Sequence, residues 1–204
     1  MSVLGYVQAG GGSTRFGKDK ALVEIGGKTM LTRTTELVAS VCREAIIVAA
    51  EGKYSGLPAG LLADRWPGQG PLGGILTALQ SSAQRGSEST WNLIVSCDMP
   101  FLTREWLEFL CQRAERSMKQ VVVAESENGP EPLCACWKTA SQPGVQAAFD
   151  SGVRKVTEAM KRLPTEVLDV SVWKRFDTES RLFWNVNTLS DYEEAKRILE
   201  APQP

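Results

Sequence analysis

A glycine-rich segment with fixed positive charges follows the first apolar run of the chain. It reads Q-A-G-G-G-S-T-R-F-G-K-D-K over residues 8–20. Glycine lets the main chain approach a phosphate or a base edge because it has no Cβ, and successive free N–H groups form a concave anion site. Arg15, Lys18 and Lys20 carry charges that can neutralise phosphate. The segment therefore predicts a backbone that wraps around a nucleotide.

Two common phosphate-binding motifs do not fit this segment. From Gly12 the spacing G-x-x-x-x-G-K holds through Lys18, but Asp19 stands where a P-loop needs the Ser or Thr hydroxyl that binds magnesium. A dinucleotide fingerprint counted from Gly10 would need its third glycine at the position of Arg15. The segment must therefore bind its nucleotide in another way.

A lone carboxylate, Asp98, follows the apolar run Trp91–Cys97 and precedes a proline turn. An acid at the carboxyl end of a buried strand is costly unless a positive group meets it. Magnesium that bridges nucleotide phosphates is the natural partner, because it prefers one or two carboxylates plus substrate oxygens. The alternative is that Asp98 caps the next turn or a helix near Thr103. Asp98 is the first candidate for a catalytic residue.

Two further clusters are candidates for ligand contact. Between Pro67 and Gly74 the chain has two prolines and four glycines, which predicts a shaped loop after Asp64 with free amides directed at an anion or a base. The alternative is that these prolines and glycines shape the loop for packing alone. Asn185 and Asn187 follow an apolar run near the C-terminus, where Asn side chains can hold a second substrate or a metal-bound water. An Asx-turn into the last helix is the alternative for this pair.

Parallel βαβ units are the elements that can position these residues. Apolar, β-branched runs alternate with stretches of helical period, which indicates a mostly parallel sheet. In such sheets ligands collect beyond the carboxyl ends of the strands. The predicted strands are Val3–Val7, Ala45–Ala50, Trp91–Cys97 and Val121–Ala124, and the predicted helices are Met30–Val41, Leu72–Gln84 and Arg104–Ser117.

In the second half of the chain the regular alternation of strand-like and helical stretches changes. This half is expected to add strands to the sheet and to carry the face for a second substrate. Ser190 and Glu193 have the spacing of a capping box, which predicts a final helix through Leu199. The other predicted elements are a strand at Pro132–Trp137, one or two short helices within Pro143–Arg162, and short strands at Glu166–Val170 and Leu182–Trp184.

Composition restricts the class of protein. A chain of 204 residues with 43% hydrophobic content is most economically one domain. The net charge of −1 argues against a nucleic-acid partner, and without a long apolar run or a leader pattern the chain is expected to be cytoplasmic with no membrane partner. Five cysteines without C-x-x-C spacing predict core residues rather than disulfides or a zinc site. The absence of histidine excludes catalysis by a histidine base.

The glycine-rich segment resembles the L-A-G-G-x-S-x-R-M-G-x-D-K signature of the MobA-like nucleotidyltransferases. Gln8 replaces the usual Leu and Phe16 the usual Met. C-D-M-P-F-L around Asp98 is similar to the metal-binding segment of that family, and D-x-x-P-G-x-G-P-L-G-G-I from Asp64 to its nucleotide-side segment. N-V-N-T from Asn185 is similar to its N-I-N-T motif. The four motifs occur in the family's order and span nearly the whole chain.

The resemblance implies an α/β fold with a mostly parallel, Rossmann-like sheet flanked by helices, in a single nucleotidyltransferase domain over residues 1–204. It implies transfer of GMP from GTP to the phosphate of molybdenum-molybdopterin, with Mg²⁺ as the cofactor and pyrophosphate as the second product. Residues 1–125 would form mainly the GTP-binding half and residues 126–200 mainly the acceptor-binding half. Proteins that mature molybdoenzymes are the further partners that it implies.

The resemblance also implies roles for individual residues. Asp98 would hold Mg²⁺, while Lys20 and Arg15 would balance the charge of the triphosphate. Arg154 and Lys155 form a basic pair that suits the acceptor's phosphomonoester, although a solvated helical face explains the pair equally well. The GTP-binding residues would be Gln8, Ala9, Gly10, Gly11, Gly12, Lys20, Asp64, Pro71 and Asp98, and the acceptor-binding residues Arg154, Lys155, Asn185 and Asn187.

Three alternative functions are compatible with these motifs. A cytidylyltransferase that acts on the same cofactor typically carries L-A-A-G in the first motif, whereas Gly10 favours guanine. Sugar-1-phosphate and isoprenoid-precursor nucleotidyltransferases share the fold but differ in the first loop and in the acceptor half. The alternative from another class is a non-catalytic partner that binds nucleotide or cofactor. It is favoured by departures from the family pattern at Gln8, Phe16, Ala49 and Leu189.

Overall fold

A central sheet flanked by helices organises the fold. The computed structural model describes residues 3–10, 19–57, 59–86, 90–177 and 179–201. Within these ranges the strands are β1 Leu4–Gln8, β2 Glu24–Ile25, β3 Lys28–Thr29, β4 Ala45–Ala49, β5 Gly60–Ala63, β6 Trp91–Ser96, β7 Val121–Ser126, β8 Gly129–Lys138 and β9 Thr165–Leu168. The helices are α1 Met30–Val41, α2 Pro71–Gln84, α3 Arg104–Arg116, α4 Gln142–Asp150, α5 Val156–Met160, α6 Val170–Trp173 and α7 Leu189–Leu199.

Seven of the described strands form one mostly parallel sheet. Their spatial order is β5-β4-β1-β6-β8-β7-β9, and β2 and β3 form a separate small hairpin. β8 is antiparallel to β6 and β7, while the other neighbouring pairs are parallel. The predicted α/β fold in a single domain is therefore confirmed.

Apolar layers cover both faces of the sheet. Along β1, Val7 packs in the layer with α1 and α3, whereas Tyr6 packs in the opposite layer with α2. Strands that are buried on both faces have continuous apolar runs, which is why the sequence showed them clearly. The cysteines are free thiols, buried except for the half-buried Cys42, as predicted for core residues. No helix in the described ranges has the length and apolarity to cross a bilayer.

Gly5 in the central strand β1 lets helix α1 approach the sheet closely. A Cβ at this position would overlap Val38 Cγ1 and lie 3.0 Å from the carbonyl oxygen of Glu44. We expect Gly5→Ala to destabilise the protein by about 1–3 kcal/mol, the usual cost of overpacking a core. Gly60→Ala is the matched control, since its added Cβ would meet Ile46 at an ordinary 3.6 Å. Urea unfolding measures both variants, and equal midpoints would contradict this account.

The last helix begins with a capping box, but at other residues than predicted. Thr188 Oγ1 accepts a hydrogen bond from the Asp191 N–H at 3.1 Å, and Asp191 Oδ2 accepts one from the Thr188 N–H at 2.8 Å. Thr188 has extended backbone angles, whereas Ser190 already lies within α7. Since an N-cap residue must be non-helical, the predicted Ser190–Glu193 box was wrong.

The second half differs from prediction in two other places. Leu182–Trp184 is a turn rather than a strand, and its Trp184 N–H donates to the Arg181 carbonyl at 2.9 Å. The strand predicted at Glu166–Val170 ends at Leu168, because Asp169 caps α6 by accepting from the Ser171 N–H at 2.9 Å. The expectation of one or two short helices after β8 is confirmed, and there are two, α4 and α5.

Candidate active site

A cleft opens beyond the carboxyl ends of β1, β4 and β6, where a parallel sheet is expected to bind its ligand. It consists of two adjoining cavities that share Gln8, Ala9, Gly10 and Pro71 in their walls. The loop cavity, of about 350 Å³, is also lined by Lys53, Asp64, residues of the 67–70 loop and the first turn of α2. The Asp98 cavity, of about 420 Å³, is also lined by Asp19, Lys20, Tyr54, Asp98, Leu133 and Asn187.

Asp98 and Lys20 form an ion pair in the Asp98 cavity. Lys20 Nζ lies 2.6 Å from Asp98 Oδ2, and both side chains are only 15% exposed. Lys20 Nζ also donates to Asn187 Oδ1 at 3.1 Å. The Asp98 carbonyl accepts from the Val186 N–H at 2.9 Å, which fixes the 185–187 segment beside the pair. Three sequence motifs that are far apart in the chain therefore meet at one point.

The Asp98 carboxylate has an acceptor atom to spare. Asp98 Oδ1 is buried and has no hydrogen-bond partner among the described residues, and an unsatisfied buried acceptor is costly. Among the described residues, no three or more Asp, Glu or Cys side chains lie close enough together to hold a metal ion. One free carboxylate oxygen without further protein ligands fits Mg²⁺, which is commonly held by one or two carboxylates plus substrate phosphates.

Asp19 holds Lys20 in place, together with two residues that the sequence did not single out. Asp19 caps the short 3-10 helix Lys20–Leu22 by accepting from the Ala21 N–H. Its carboxylate accepts from Lys53 Nζ at 2.9 Å and from the Tyr54 hydroxyl at 2.9 Å. Burial acts to raise the pKa of Asp19, but these hydrogen bonds and the charge of Lys53 hold it below its usual value. The aspartate therefore remains ionised at neutral pH and anchors the helix that presents Lys20.

Asp64 stabilises the loop that borders the loop cavity. Asp64 Oδ1 accepts from the Trp66 N–H at 3.0 Å and from the Thr77 hydroxyl on α2, also at 3.0 Å. Asp64 also lines the cavity. Its contact with a guanosine remains a prediction. Helix α2 begins at Pro71 without a side-chain cap. The partial positive charge of such a helix start favours an anionic or electron-rich ligand.

Gln8 lies between the end of β1 and the first turn of α2. Its Nε2 donates to the Pro71 carbonyl at 3.3 Å, and the residue is 8% exposed. Gly74 leaves the room for this side chain, because a Cβ there would lie 2.9 Å from Gln8 Oε1. The backbone that follows is fixed in the sheet, with the Ala9 N–H donating to the Val48 carbonyl at 2.9 Å.

The predicted acceptor residues lie in different places. Asn187 lines the Asp98 cavity, whereas Asn185 Nδ2 donates locally to the Phe183 carbonyl at 3.1 Å. Arg154 Nε donates to Gln69 Oε1 at 2.9 Å, so this arginine braces the loop beside the loop cavity. Lys155 is exposed at the start of α5. The acceptor roles of these residues, and the division at residue 125, stay predictions.

Part of the glycine-rich segment lies outside the described residues. These positions include three predicted site residues, Gly11, Gly12 and Arg15. The described flanks place Ala9 and Gly10 in the walls of both cavities, and Lys20 in the Asp98 cavity. The two ends of the segment therefore border the cleft that the sequence predicted for it.

Comparison with known proteins relates the fold and the cleft to a family. A family model described as a MobA-like NTP transferase domain matches residues 5–165. A molybdenum cofactor guanylyltransferase of Desulfosudis oleivorans is 30% identical over 202 residues, covering 98% of this chain and 97% of the relative. The structure of molybdopterin-guanine dinucleotide biosynthesis protein A from Archaeoglobus fulgidus superposes with a TM-score of 0.81 at 26% identity, covering 95% and 97% of the two chains. The fold is shared by a 2-C-methyl-D-erythritol 4-phosphate cytidylyltransferase from Thermus thermophilus. It superposes with a TM-score of 0.67 at 15% identity, covering 95% of this chain and 96% of the other.

The fold, its cleft and these matches define the protein as a nucleotidyltransferase. The family model covers most of the chain, and the Desulfosudis relative covers nearly all of it. The chain belongs to the MobA-like NTP transferase family. The family predicted from four sequence motifs is thereby confirmed.

The space beside Gly74 allows a test of the loop cavity. We expect Gly74→Ala to displace the Gln8 side chain into the cleft and to raise the KM for the nucleotide about tenfold, through lost binding of about 1.4 kcal/mol. The added methyl group should cost nothing in a Gln8→Ala background, because the colliding atoms are then absent. A double-mutant cycle in KM therefore measures the coupling. Additive effects of the two substitutions would show that Gly74 acts in another way.

Proposed function

We propose that the protein transfers GMP from GTP to the phosphate of molybdenum-molybdopterin and releases pyrophosphate. The observation that carries this proposal is the Lys20–Asp98 pair beside the unpaired oxygen Asp98 Oδ1, in a cavity that adjoins the loop cavity. The relatives named for guanylyl transfer and for guanine dinucleotide biosynthesis support guanine as the base. We place the reaction in the cytoplasm, with proteins that mature molybdoenzymes as recipients of the product.

Positioning and charge stabilisation are sufficient for this reaction. The acceptor phosphate is already anionic at neutral pH, so it can attack the α-phosphorus of GTP without a base, in agreement with a chain that has no histidine. Nucleotidyl transfer of this kind depends on alignment of the reacting groups and on stabilisation of the charge on the phosphate oxygens. When bound, Mg²⁺ would neutralise part of that charge, and Asp98 would hold it.

Lys20 has two tasks in this mechanism. In the structure its ammonium group is held by Asp98 and Asn187. With a triphosphate in the cleft, we propose that the ammonium turns to the phosphate oxygens and stabilises the negative charge of the departing pyrophosphate. Ala9 and Gly10 line both cavities, and with Asp64, the 67–70 loop and the first turn of α2 they would position the guanosine.

Pyrophosphate release tests this proposal directly. The purified protein is supplied with Mg²⁺ and molybdenum-loaded molybdopterin, and GTP is compared with CTP and ATP. We expect release with GTP only, because Gly10 and the names of the relatives favour guanine. Preference for CTP would move the protein to the cytidylyltransferases. No release with any nucleotide would leave a binding role or a different acceptor.

A further inference from the structure

A third cavity lies at the hairpin that joins β7 and β8. We call it the hairpin cavity because Ser126 and Glu131 of the β7–β8 hairpin form one wall. Trp173 of α6 and the Phe183–Trp184 turn form the others. Its volume is about 200 Å³, below the roughly 300–1,000 Å³ of pockets that enclose a whole ligand. It is the right size for one ring system of a larger molecule.

The hairpin brings this cavity close to the reacting centre. β8 pairs with β6 up to Val95 and Cys134, and its earlier residues continue beyond the end of β6. Glu131 in the hairpin cavity and Leu133 in the Asp98 cavity are two residues apart on β8, a span of at most about 7 Å. The two cavities are therefore lined by neighbouring positions of one strand, a separation shorter than a ligand with a ring system and a phosphate side chain.

A second connection runs through the aromatic side chains. Trp184 stacks on Phe101 with ring centroids 5.3 Å apart and an angle of 4° between the planes. Phe101 follows Asp98 by three residues, and Val186 donates its N–H to the Asp98 carbonyl at 2.9 Å. A ring contact and a backbone hydrogen bond therefore connect the wall of the hairpin cavity to the segment of Asp98, the residue proposed to hold the metal ion.

The chemistry of the walls indicates a flat ligand with neighbouring N–H donors. Trp173 and Phe183 meet edge to face, with centroids 5.1 Å apart, and the Trp173 indole N–H is already used by the Glu125 carbonyl at 2.9 Å. Glu131 Oε1 accepts from the Ser126 hydroxyl at 2.6 Å. No basic group of the described chain pairs with Glu131. Burial raises its pKa, although the Ser126 hydrogen bond acts in the opposite direction. A ligand that donates two hydrogen bonds would satisfy this carboxylate.

We propose that the hairpin cavity binds the pterin ring of the acceptor, with the Glu131 carboxylate accepting from the ring N3–H and the 2-amino group. This inference rests on the proposed function, in which the acceptor is molybdopterin. Guanine carries the same pair of donors, but the sheet order separates the two ligands. The loop cavity lies beyond β1 and β4, the hairpin cavity lies beside β8 and β7, and Asp98 follows β6 between them. A nucleotide on one side and a pterin on the other would bring their phosphates together at Asp98.

A pair of fluorescent probes tests the cavity without turnover. 6-Hydroxymethylpterin carries the 2-amino group, whereas 6-hydroxymethyllumazine has an oxo group at that position. We expect the wild-type protein to bind the pterin at least about tenfold more tightly than the lumazine, because one donor is replaced by a repelling acceptor. Glu131→Gln, which retains the shape of the side chain, should lose about tenfold in pterin affinity and most of this discrimination. Glu125→Gln, the same change at an exposed position of β7, should retain both.

Turnover by the same variants separates this inference from the proposed function. Glu131→Gln should raise the KM for molybdopterin about tenfold and leave the KM for GTP and the melting temperature unchanged. A wild-type protein that binds pterin as expected but releases no pyrophosphate would contradict the proposed function and support the cavity. No saturable pterin binding by the wild type, or a raised KM for GTP with unchanged pterin binding in Glu131→Gln, would overturn the cavity assignment.

Discussion

Asp98→Asn should lower kcat for pyrophosphate release by about 100- to 1,000-fold, the range for loss of one preorganised electrostatic contact in an active site. The substitution keeps the volume and one oxygen of the side chain but removes its charge. Asp98 Oδ1 is a buried acceptor that has no partner among the described residues, and Oδ2 holds Lys20. The loss of charge should therefore weaken the proposed Mg²⁺ contact and release Lys20.

Steady-state kinetics at several Mg²⁺ concentrations measure this effect. Asp150→Asn on the exposed end of α4 is the control for the chemical change itself. Melting temperatures of both variants test whether the fold is retained. A near-normal rate of Asp98→Asn at saturating Mg²⁺ would exclude Asp98 as the residue that holds the metal ion.

Lys20→Met should change the protein in two opposite directions. We expect kcat to fall by about 100-fold, because the triphosphate loses a fixed positive charge. We also expect Mg²⁺ to bind more tightly in the absence of nucleotide. In the structure the Lys20 ammonium lies 2.6 Å from Asp98 Oδ2, so an incoming cation must compete with it. A partly exposed ion pair contributes up to about 1 kcal/mol, which corresponds to an affinity gain of about fivefold.

Calorimetric titration with Mg²⁺ and single-turnover kinetics test the two effects separately. Lys28→Met is the matched control, since Lys28 pairs with Glu36 on the surface and touches neither cavity. Weaker Mg²⁺ binding by Lys20→Met would show that the lysine assists metal binding rather than competing with it. An unchanged kcat would remove Lys20 from the proposed mechanism.

The sequence predicted the strands and helices best where burial made their pattern continuous. Met30–Val41 was predicted with the bounds that the structure has, because Thr29 caps a helix of clear apolar period. The Leu182–Trp184 run was mistaken for a strand, since its apolar character reflects packing of Phe183 against Trp106 and Trp173 rather than strand pairing. The hairpin of β2 and β3 was missed although its signal was present. Gly26 and Gly27 both have positive φ, as a tight two-residue turn requires.

The candidate site was predictable in its residue types but only in part in its geometry. The motifs indicated Lys20, Asp98 and Asn187, and the structure brings these three together. Their contacts depend on the order of the strands in the sheet, which no local sequence pattern predicts. Lys53 and Tyr54 were missed because they belong to no motif and act through a tertiary contact with Asp19. Arg154 was assigned to the acceptor for its charge, and its contact with Gln69 joins two loops far apart in the chain, which no local pattern predicts; its acceptor role stays a prediction.

The cleft is assembled from opposite ends of the chain, and this has a consequence for biosynthesis. Lys20 is separated by 78 residues from Asp98 and by 167 residues from Asn187. Contacts of such long range form slowly, because the loop between them must close first. During translation the glycine-rich segment leaves the ribosome long before its partners. The Lys20–Asn187 contact therefore cannot form in the nascent protein until Asn187 has left the ribosome, and an aborted chain that ends before this residue would lack one side of the Asp98 cavity.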